Sequence, residues 1–451
     1  MTPTADRDGQ SPRVVIVGGG FAGVACAKAL GDEDVNVLLL DRNNYHQFQP
    51  LLYQVASAAL SPSDVGTPLR MLFRDHKTVD FKQADVVDVD IAGHTVRTAD
   101  GQRYTGDYLV LAVGSQPNFF RTAGAGEHAV PLYSLLDAVR LRSRIFEVFD
   151  AADNDARLVD EGVLNFVIVG AGATGVEIAG ALAELVNEVL PEQYHDLAVR
   201  AARVYVVDHG LALLGPFSPS AHDYAAKVLH RDGVQVKLGV GVKEITPSGV
   251  VLSDGSTIPT RCVIWAGGVQ AGSLAGRCGL AQGRGGRINV NPDLTVRDAP
   301  GVYVLGDAAN VPGPDGSALP QLGSVALQTG QWAAKNILAD IAGEPRAGFH
   351  YHDKGIMAMI GRRAAVAEMG ERRHELHGSI AFAAWLGVHA WLMSGVRSRV
   401  DAFVSWGWDY FSKNRAMALV DHRDVGTLDL DPQDKQTPPA PAPAAEKPPH
   451  T

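Results

Sequence analysis

Cysteine is scarce in this chain of 451 residues, which contains only Cys26, Cys262 and Cys278. None of them lies in a C-x-x-C spacing, and an odd number cannot form a complete disulfide framework. The pattern argues against a disulfide-stabilised secreted scaffold and against a zinc site built on cysteine. We expect the three side chains to be small residues of a hydrophobic core, and we expect no metal site.

Positive charge is also in short supply. The chain has 40 Lys and Arg against 50 Asp and Glu, a formal net charge of −10, and no block of basic residues stands out. Because binding to a phosphate backbone needs a basic surface, we expect no nucleic-acid partner. The N-terminal segment, residues 1–11, is polar and has no apolar stretch, so the sequence predicts no secretion.

Apolar runs long enough to cross a membrane are lacking as well. Residues 380–396 are apolar over 17 positions. As a helix, such a run measures about 25 Å, short of the hydrocarbon core of about 30 Å. In the following stretch, apolar residues recur at helical spacing with polar residues on the other side. Those apolar residues are Val400, Phe403, Val404, Trp408 and Phe411.

Aromatic and basic residues mark the same region. Four of the six tryptophans lie there, and basic residues flank the apolar runs, as at a lipid headgroup boundary. These residues are Trp385, Trp391, Trp406 and Trp408, with Arg397, Arg399, Lys413 and Arg415. We expect two amphipathic helices that bind a membrane surface through residues 380–415. A homodimer interface, or a helix pair packed on the core, is the alternative.

Glycine, by contrast, is abundant, and two glycine-rich turns carry the main signal. The first, Gly18-x-Gly20-x-x-Gly23, follows an apolar run and precedes a helical pattern at residues 21–30. In such a turn the first glycine bends the chain, the second lets the backbone approach a pyrophosphate, and the third lets helix pack on strand. Asp41 ends the next apolar run, 23 positions after Gly18, where a carboxylate can bind ribose hydroxyls.

The second turn, Gly170-x-Gly172-x-x-Gly175, repeats this context 152 positions later. Its acid, Asp208, comes 38 positions after Gly170, so the helix between them must be extended. No arginine is placed to receive a 2′-phosphate, and the carboxylate would repel one, which favours NADH over NADPH. A chain with two such turns is predicted to bind two dinucleotides.

The order of these elements predicts an α/β fold with two Rossmann-like dinucleotide-binding domains, the second inserted in the first. We assign residues 13–120 and 295–345 to the first domain and 121–294 to the second, whose core is 163–270. Strands and the amphipathic membrane-anchoring helices occupy residues 346–420. Residues 1–12 and the Pro- and Ala-rich 421–451 are predicted to be disordered.

The two turns, together with Gly306-Asp307 after a late apolar run, resemble the two-dinucleotide flavoprotein reductases. The segment 48–56 (FQPLLYQVA), Asp353-Lys354-Gly355 and the aromatic C-terminal helices then look like the type II NADH dehydrogenases, single-chain NADH:quinone oxidoreductases on one membrane leaflet. The resemblance covers residues 13–420. No cysteine pair follows Gln54, so the thiol chemistry of related disulfide and sulfide enzymes is disfavoured.

The resemblance implies FAD in the first domain and NADH, as co-substrate, in the second. The FAD contacts it implies are Gly18, Gly20, Phe21, Ala22, Gly23, Asp41, Arg42, Gln54, Ala112, Gly114, Gly306 and Asp307. The NADH contacts are Gly170, Gly172, Ala173, Thr174, Gly175, Glu177, Asp208 and Gly268.

The acceptor site departs from the family pattern. Type II enzymes carry Ala-Gln-x-Ala-x-Gln beside the flavin, with two amides four positions apart. This chain has Ser324 in place of the first amide and keeps Gln328, which raises the question of which quinone binds. Gln321 is a possible substitute. Glu177 and Lys354 look like the family's charged pair near the nicotinamide and quinone, expected to position groups and supply protons.

The resulting hypothesis is a non-proton-pumping NADH:quinone oxidoreductase, peripheral on the cytoplasmic face of the cell membrane, that passes a hydride from NADH to FAD and two electrons to a quinone such as menaquinone. Two alternatives stay open from the residues. One is a soluble reductase with a protein acceptor, and the other is a flavin and NADH sensor without turnover.

Overall fold

A computed structural model describes residues 11–412 apart from 196, 198, 315 and 371, together with Arg415 and Ala418. Disorder was predicted for residues 1–12 and 421–451, and all of these except 11 and 12 lie outside the described residues. Lys413, one of the basic residues predicted to flank the apolar runs, lies outside them too.

The first domain is built on a six-stranded sheet of mostly parallel strands. The strand before the first glycine turn lies inside the sheet, between the strand that ends in Asp41 and the strand that precedes Ala112. These strands are almost continuous runs of Val, Ile and Leu, because helices or loops cover both faces of a parallel sheet. In spatial order they are Thr295–Val296, Ala299–Val304, Tyr108–Leu111, Arg13–Val17, Asn36–Asp41 and Val79–Gln83.

Two helices cover this sheet where the first glycine turn ends. Phe21–Leu30 has the bounds expected from the sequence and packs along Gly323–Ala342. Their close approach depends on Gly330, because a Cβ there would collide with the Ala22 carbonyl oxygen. The smaller pieces of the domain are the strands Tyr45–Gln47, Gly66–Pro68, Val86–Asp90, Thr95–Thr98 and Arg103–Thr105, with the helices Gln49–Leu51, Leu52–Ala56, Pro62–Val65 and Leu69–Leu72.

The second domain repeats the design with five parallel strands. In spatial order they are Ala129–Pro131, Cys262–Trp265, Asn165–Val169, Arg203–Asp208 and Gln235–Leu238. An antiparallel sheet of Val242–Thr246, Gly249–Leu252 and Thr257–Pro259 extends the domain. Its helices are Ala125–His128, Leu135–Asn154, Arg157–Asp160, Ala173–Glu184 and Pro219–Arg231, with irregular turns Leu185–Val189, Leu190–Glu192 and Val199–Ala201.

The chain crosses between the domains twice, and the two crossings pair with each other as antiparallel strands, Ser115–Pro117 and Val269–Ala271. After the second crossing, Leu274, Ala275 and Ile288 are buried in the core of the first domain. The structure therefore differs from the expected boundary, since residues 272–294 pack with the first domain. The short elements here are Ala275–Arg277, Arg284–Gly286, Ile288–Asn289, Gly306–Ala308 and Ala309–Asn310.

The C-terminal region forms an antiparallel sheet followed by two helices. The strands are Gly355–Gly361, Ala364–Met369 and His374–His377. The first strand packs on Ala173–Glu184, where Gly180 lets the backbones approach. The helices are Gly378–Leu392 and Val396–Ser412, so the apolar run 380–396 is broken at Met393 and does not form one helix.

These C-terminal helices have a buried and an exposed apolar side. Trp385 and Ala402 are fully buried, whereas large apolar side chains of both helices face solvent. The exposed ones are Ile380, Trp391, Leu392, Val400, Phe403, Val404 and Trp408. Within the described part of the chain, no helix combines the length and apolar content needed to cross a bilayer.

Candidate active site

The first glycine turn has the geometry of a pyrophosphate cradle. Gly18 has a φ of +111°, and a Cβ there would collide with the Ala112 carbonyl oxygen. A Cβ on Gly23 would collide with the carbonyl oxygen of Gly18, so helix and strand could not pack as closely. Gly20 is different, because a Cβ there meets no atom within 4 Å. The second glycine thus borders open space where a ligand's phosphates can sit.

The second turn repeats this division of roles. Gly170 has a φ of +113° and faces the Ala266 carbonyl oxygen, and Gly175 abuts the carbonyl oxygen of Gly170. A Cβ on Gly172 again meets nothing within 4 Å. In both turns, therefore, the space beside the second glycine is open, as the diphosphate of a dinucleotide requires.

The two acids occupy equivalent positions despite their different sequence spacing. Asp41 accepts a hydrogen bond of 2.6 Å from the Gly19 N–H, and Asp208 accepts one of 2.6 Å from the Ala171 N–H. The longer spacing before Asp208 is taken up by irregular helical turns that begin with Leu185–Val189. Each carboxylate is thus held against its glycine turn, where the ribose of a dinucleotide lies.

A cavity of about 550 Å³ opens beside the first turn, and it is called the large cavity below because 43 residues line it. All but two of the predicted FAD contacts line it. Gly23 is one exception, because it packs behind the turn, and Gln54 is the other. The cavity contains two cationic side chains, Arg42, which was expected, and Arg277, which sequence reasoning missed.

The acid of the late Gly-Asp pair sits in the wall of this cavity. Asp307 accepts a hydrogen bond of 2.6 Å from the Ser115 hydroxyl, and its carbonyl accepts one of 3.1 Å from the Gln321 amide. Burial raises the pKa of Asp307, while the Ser115 hydrogen bond and the charge of Arg287 oppose the rise. Gln321 therefore supports Asp307, beside the large cavity that it also lines.

The second glycine turn reaches the same cavity. Ala173, Thr174 and Glu177, at the start of its helix, all line the large cavity. Glu177 is 9% exposed and accepts a hydrogen bond of 3.2 Å from the Met359 N–H. Burial raises the pKa of Glu177 to about 8, against the effect of that hydrogen bond. At neutral pH its carboxyl is therefore mostly protonated and can donate a proton.

Gly268 lies beside the second turn but outside the large cavity. Its φ is +122°, and a Cβ there would approach the Phe120 ring to 3.3 Å. Its carbonyl accepts a hydrogen bond of 3.1 Å from Asn118, which fixes the crossing between the domains. Phe120, an exposed aromatic with a φ of +48°, therefore stands next to this predicted NADH contact.

Gln54 belongs to a different wall. Its amide donates to the Tyr53 hydroxyl at 2.9 Å and accepts from the Trp406 indole at 2.6 Å. The Tyr53 hydroxyl in turn contacts the Met359 sulfur at 3.2 Å. Gln54 does not line the large cavity, whereas the neighbouring Tyr53 on the helix Leu52–Ala56 does, so the FAD contact of Gln54 stays a prediction.

Beyond this wall lies a second cavity of about 580 Å³, beneath the C-terminal helices. Tyr53 and Glu177 line both cavities, so only these side chains and their neighbours separate them. The lining is largely apolar; its charged members besides Glu177 are Glu184, Arg362, Arg363 and Arg415, of which Glu184 pairs with Arg362 and Arg415. Its apolar members include Ala181, Met359, Phe382, Leu386, Phe403 and Trp406.

Three of the residues predicted for the acceptor site, Ser324, Gln328 and Lys354, lie on or beside the segment that precedes Gly355, away from Glu177. The Ser324 hydroxyl lies 2.8 Å from that of Tyr351. Gln328 donates to the His352 carbonyl at 2.9 Å and accepts from the His352 N–H at 3.0 Å. Lys354 is exposed. None of Ser324, Gln328 and Lys354 lines either cavity. The hydrogen bonds to Tyr351 and His352 hold the side chains of Ser324 and Gln328 outside the cavities.

The three cysteines take no part in the site. All are buried, without disulfides, and none lines the large cavity. Burial raises their pKa values, to about 12 for Cys26 and Cys262 and to about 11 for Cys278. Because the thiolate is the reactive form, these side chains are inert at neutral pH.

His389 is the site residue that sequence reasoning missed most completely. It was noted only as a polar interruption of an apolar run, yet its side chain lines the large cavity from the helix Gly378–Leu392. The only available signal was its spacing of four from Trp385, which places both on one helix face.

Comparison with known proteins agrees with this geometry. Residues 12–330 match the pyridine nucleotide-disulphide oxidoreductase family. Two type II NADH:quinone oxidoreductases of Mycobacterium tuberculosis, Ndh and NdhA, are 34% and 35% identical to this chain. The first match covers 93% of both chains, and the second covers 90% of this chain and 89% of the relative.

A solved structure shares the fold along nearly the whole chain. NDH2 from Plasmodium falciparum in complex with NADH superposes with a TM-score of 0.84 at 18% identity, covering 89% of this chain and 99% of that one. With two dinucleotide turns meeting at one cavity and no reactive thiol there, the chain belongs to the pyridine nucleotide-disulphide oxidoreductase family and, within it, to the type II NADH:quinone oxidoreductases.

Proposed function

We propose that the large cavity holds FAD, that NADH binds at the second glycine turn, and that a membrane quinone takes the electrons at the end walled by Tyr53 and Glu177. The observation that carries the proposal is the meeting of both turns at one cavity that adjoins a second, apolar one. FAD supplies a ring that accepts a hydride from NADH and passes two electrons on. The protein acceptor and sensor alternatives are not favoured, since the relatives are quinone oxidoreductases.

The residues that hold FAD act on its charged and polar parts. The N–H groups at the start of Phe21–Leu30 face the diphosphate, and Arg42 and Arg277 provide cations at the cavity wall. Asp41 binds ribose hydroxyls. The Asp307 carboxylate accepts hydrogen bonds from the hydroxyl groups of the ribityl chain of FAD. The hydrogen bond from the Ser115 hydroxyl holds this carboxylate in position.

For NADH, the proposed contacts follow the second turn. Gly172 leaves room for the diphosphate, and the free N–H groups of Ala173–Glu184 face it. The carboxylate of Asp208 binds the ribose and repels a 2′-phosphate, so NADH is preferred over NADPH. Thr174 and Glu177 extend this site into the large cavity, where the two nucleotides meet.

The acceptor site is moved from its sequence-based position. We place the quinone ring near Glu177 and Tyr53, with its isoprenoid tail in the second cavity. The lining from Phe382, Leu386 and Phe403 matches an apolar chain, and the cavity lies directly beneath the helices that bear the exposed apolar residues. Ser324 and Gln328 then act at a distance, by holding the segment around His352 in place.

A membrane surface is the proposed partner of the C-terminal helices. Trp391 is 76% exposed, and Val400, Val404 and Trp408 extend the same apolar surface. Such a patch is larger than isolated surface residues and suits a peripheral attachment by amphipathic helices. We expect the enzyme on the cytoplasmic face, with menaquinone as acceptor; a homodimer that covers the patch is the alternative.

The proposed function is tested with vesicles. The purified protein should co-float with liposomes, and its NADH oxidation should require a quinone, faster with a menaquinone than with a ubiquinone analogue. Placing carboxylates on the exposed patch, as in Trp391→Asp with Val404→Asp, should lower flotation about tenfold or more while NADH still bleaches the flavin anaerobically. A dimer that dissociates in this variant, with flotation unchanged, would favour the homodimer.

Glu177→Gln tests the proton supply. Quinone-dependent turnover of the unchanged enzyme should fall as pH rises through about 8, because Glu177 then loses its proton. The amide of the variant can still accept from Met359 but has no acidic proton. We expect turnover about 100-fold lower with no step near pH 8, measured as kcat with a quinone analogue from pH 6 to 10. At saturating NADH, flavin reduction should change little, because the amide keeps the hydrogen bond from Met359 and the shape of this NADH contact. A variant that keeps the pH step would refute the assignment.

A further inference from the structure

His389 enters the large cavity from the membrane-facing side of the molecule. It lies on the helix Gly378–Leu392, two positions from the exposed Trp391, yet is only 8% exposed itself. Its ring stacks on that of Trp385 with centroids 3.9 Å apart, and it also packs at an angle of 80° to the Phe48 ring, with centroids 6.1 Å apart. The imidazole is therefore held in one orientation by packing.

The hydrogen bond of this ring decides its chemistry. Nδ1 lies 2.9 Å from the carbonyl oxygen of Trp385, which can only accept. Nδ1 therefore carries the proton, and in the neutral ring Nε2 is left with a lone pair and no hydrogen. Within the described part of the chain, no other group donates to Nε2, and the side chain lines the large cavity.

The ring stays neutral because of where it sits. Burial lowers the pKa of His389 to about 4, although the hydrogen bond to Trp385 opposes this. His389 shares the lining of the large cavity with Tyr53, Met357 and Glu177, and Trp385, on which its ring stacks, also packs against the Tyr53 ring. The groups that line this cavity therefore include a donor, the Glu177 carboxyl, and an acceptor without a hydrogen, His389 Nε2.

A bare acceptor distinguishes the two redox states of a quinone. The oxidised quinone has two carbonyl oxygens, which only accept hydrogen bonds, whereas the quinol has two hydroxyl groups, which donate. An imidazole without a free N–H can therefore accept a hydrogen bond from the quinol, but it can form no hydrogen bond with a carbonyl oxygen of the quinone.

We propose that His389 Nε2 accepts a hydrogen bond from the quinol hydroxyl, and so makes His389 a contact for the reduced product that distinguishes quinol from quinone. The inference rests on the proposed function, because it takes the quinone ring to bind at this end of the large cavity. It adds a residue from the C-terminal helix to the site.

The test compares Ki for quinol as a product inhibitor in three variants. His389→Leu keeps the bulk but removes the acceptor, and Ki should rise about three- to tenfold, as for one lost neutral hydrogen bond. KM for quinone should change less than about twofold. His389→Gln, whose amide oxygen reaches a similar position, should restore most of the lost quinol affinity. His374→Leu, an exposed histidine before the same helix, should match the unchanged enzyme.

Quinol binding is also measured without turnover, from the change in flavin absorbance when a quinol analogue is added anaerobically to enzyme with equal FAD content. An equal rise of Ki and KM in His389→Leu would show a packing role and overturn the proposal. Loss of FAD from both the Leu and Gln variants would mean that His389 binds the flavin instead. Absence of quinone turnover in the unchanged enzyme would instead refute the proposed function.

Discussion

Gly20→Val is expected to yield a folded protein that purifies without flavin. Gly20 has a φ of −76° and a ψ of −167°, an extended backbone that valine adopts readily, and no atom lies within 4 Å of a new Cβ. The substitution therefore leaves the stability of the apoprotein unchanged. The added methyl groups, however, occupy the space proposed for the diphosphate. Overpacking of about 3 kcal/mol weakens binding about 150-fold, and loss of helix N–H contacts adds to it.

The measurement is the FAD released per chain on denaturation, alongside far-UV circular dichroism and the thermal midpoint of the apoprotein. Gly215→Val is the matched control, because Gly215 is also open to solvent but lies outside both cavities. It should retain full FAD. A yellow Gly20→Val protein would place the diphosphate elsewhere. Gly23→Val is unsuitable, since its collision with the Gly18 carbonyl would disrupt the fold itself.

The parts of the structure that lie where the sequence predicted them, the glycine turns and their acids, are set by neighbours in the chain. A glycine turn between a buried strand and a helix has few geometries, so the roles of Gly18, Gly20 and Gly23 follow from spacing alone. The same holds for Asp208. The second turn and its acid are separated by 15 more positions than the first pair (38 minus 23), but these extra residues form helical turns and leave the strand that ends in Asp208 unchanged.

Side-chain direction depends on distant partners and was harder to predict. On the helix Leu52–Ala56, successive residues point about 100° apart, so a motif cannot say whether Tyr53 or Gln54 faces the flavin. Trp406, which binds Gln54, is 352 positions away. Gln328 was assigned to the quinone by resemblance to the family pattern, yet the backbone of His352 uses both ends of its amide.

The domain boundary and the C-terminal helices show the same limit. Residues 272–294 follow the second domain in the chain but pack with the first, because the strand Val269–Ala271 pairs back with Ser115–Pro117. The sequence predicted the helical pattern of residues 400–411. It could not predict which side of each helix is buried, because this depends on Trp385 filling the space beside Tyr53.

Gly172→Val should give the opposite phenotype from Gly20→Val, a yellow protein that NADH reduces poorly. Gly172 has a φ of −71° and a ψ of −175°, and a Cβ there again meets no atom within 4 Å. We expect full FAD content and a KM for NADH at least about 100-fold higher, on the same steric argument. Anaerobic stopped-flow bleaching of the flavin by NADH measures the effect.

Chemical reduction separates this outcome from general damage. Dithionite should still bleach the flavin of Gly172→Val, and a quinone analogue should reoxidise it at the normal rate, because neither step uses the second turn. The two valine variants together then assign one nucleotide to each turn. If Gly172→Val instead lost FAD, the segment Ala173, Thr174 and Glu177 would have to hold the flavin rather than the incoming NADH, and the division of labour between the turns would be wrong.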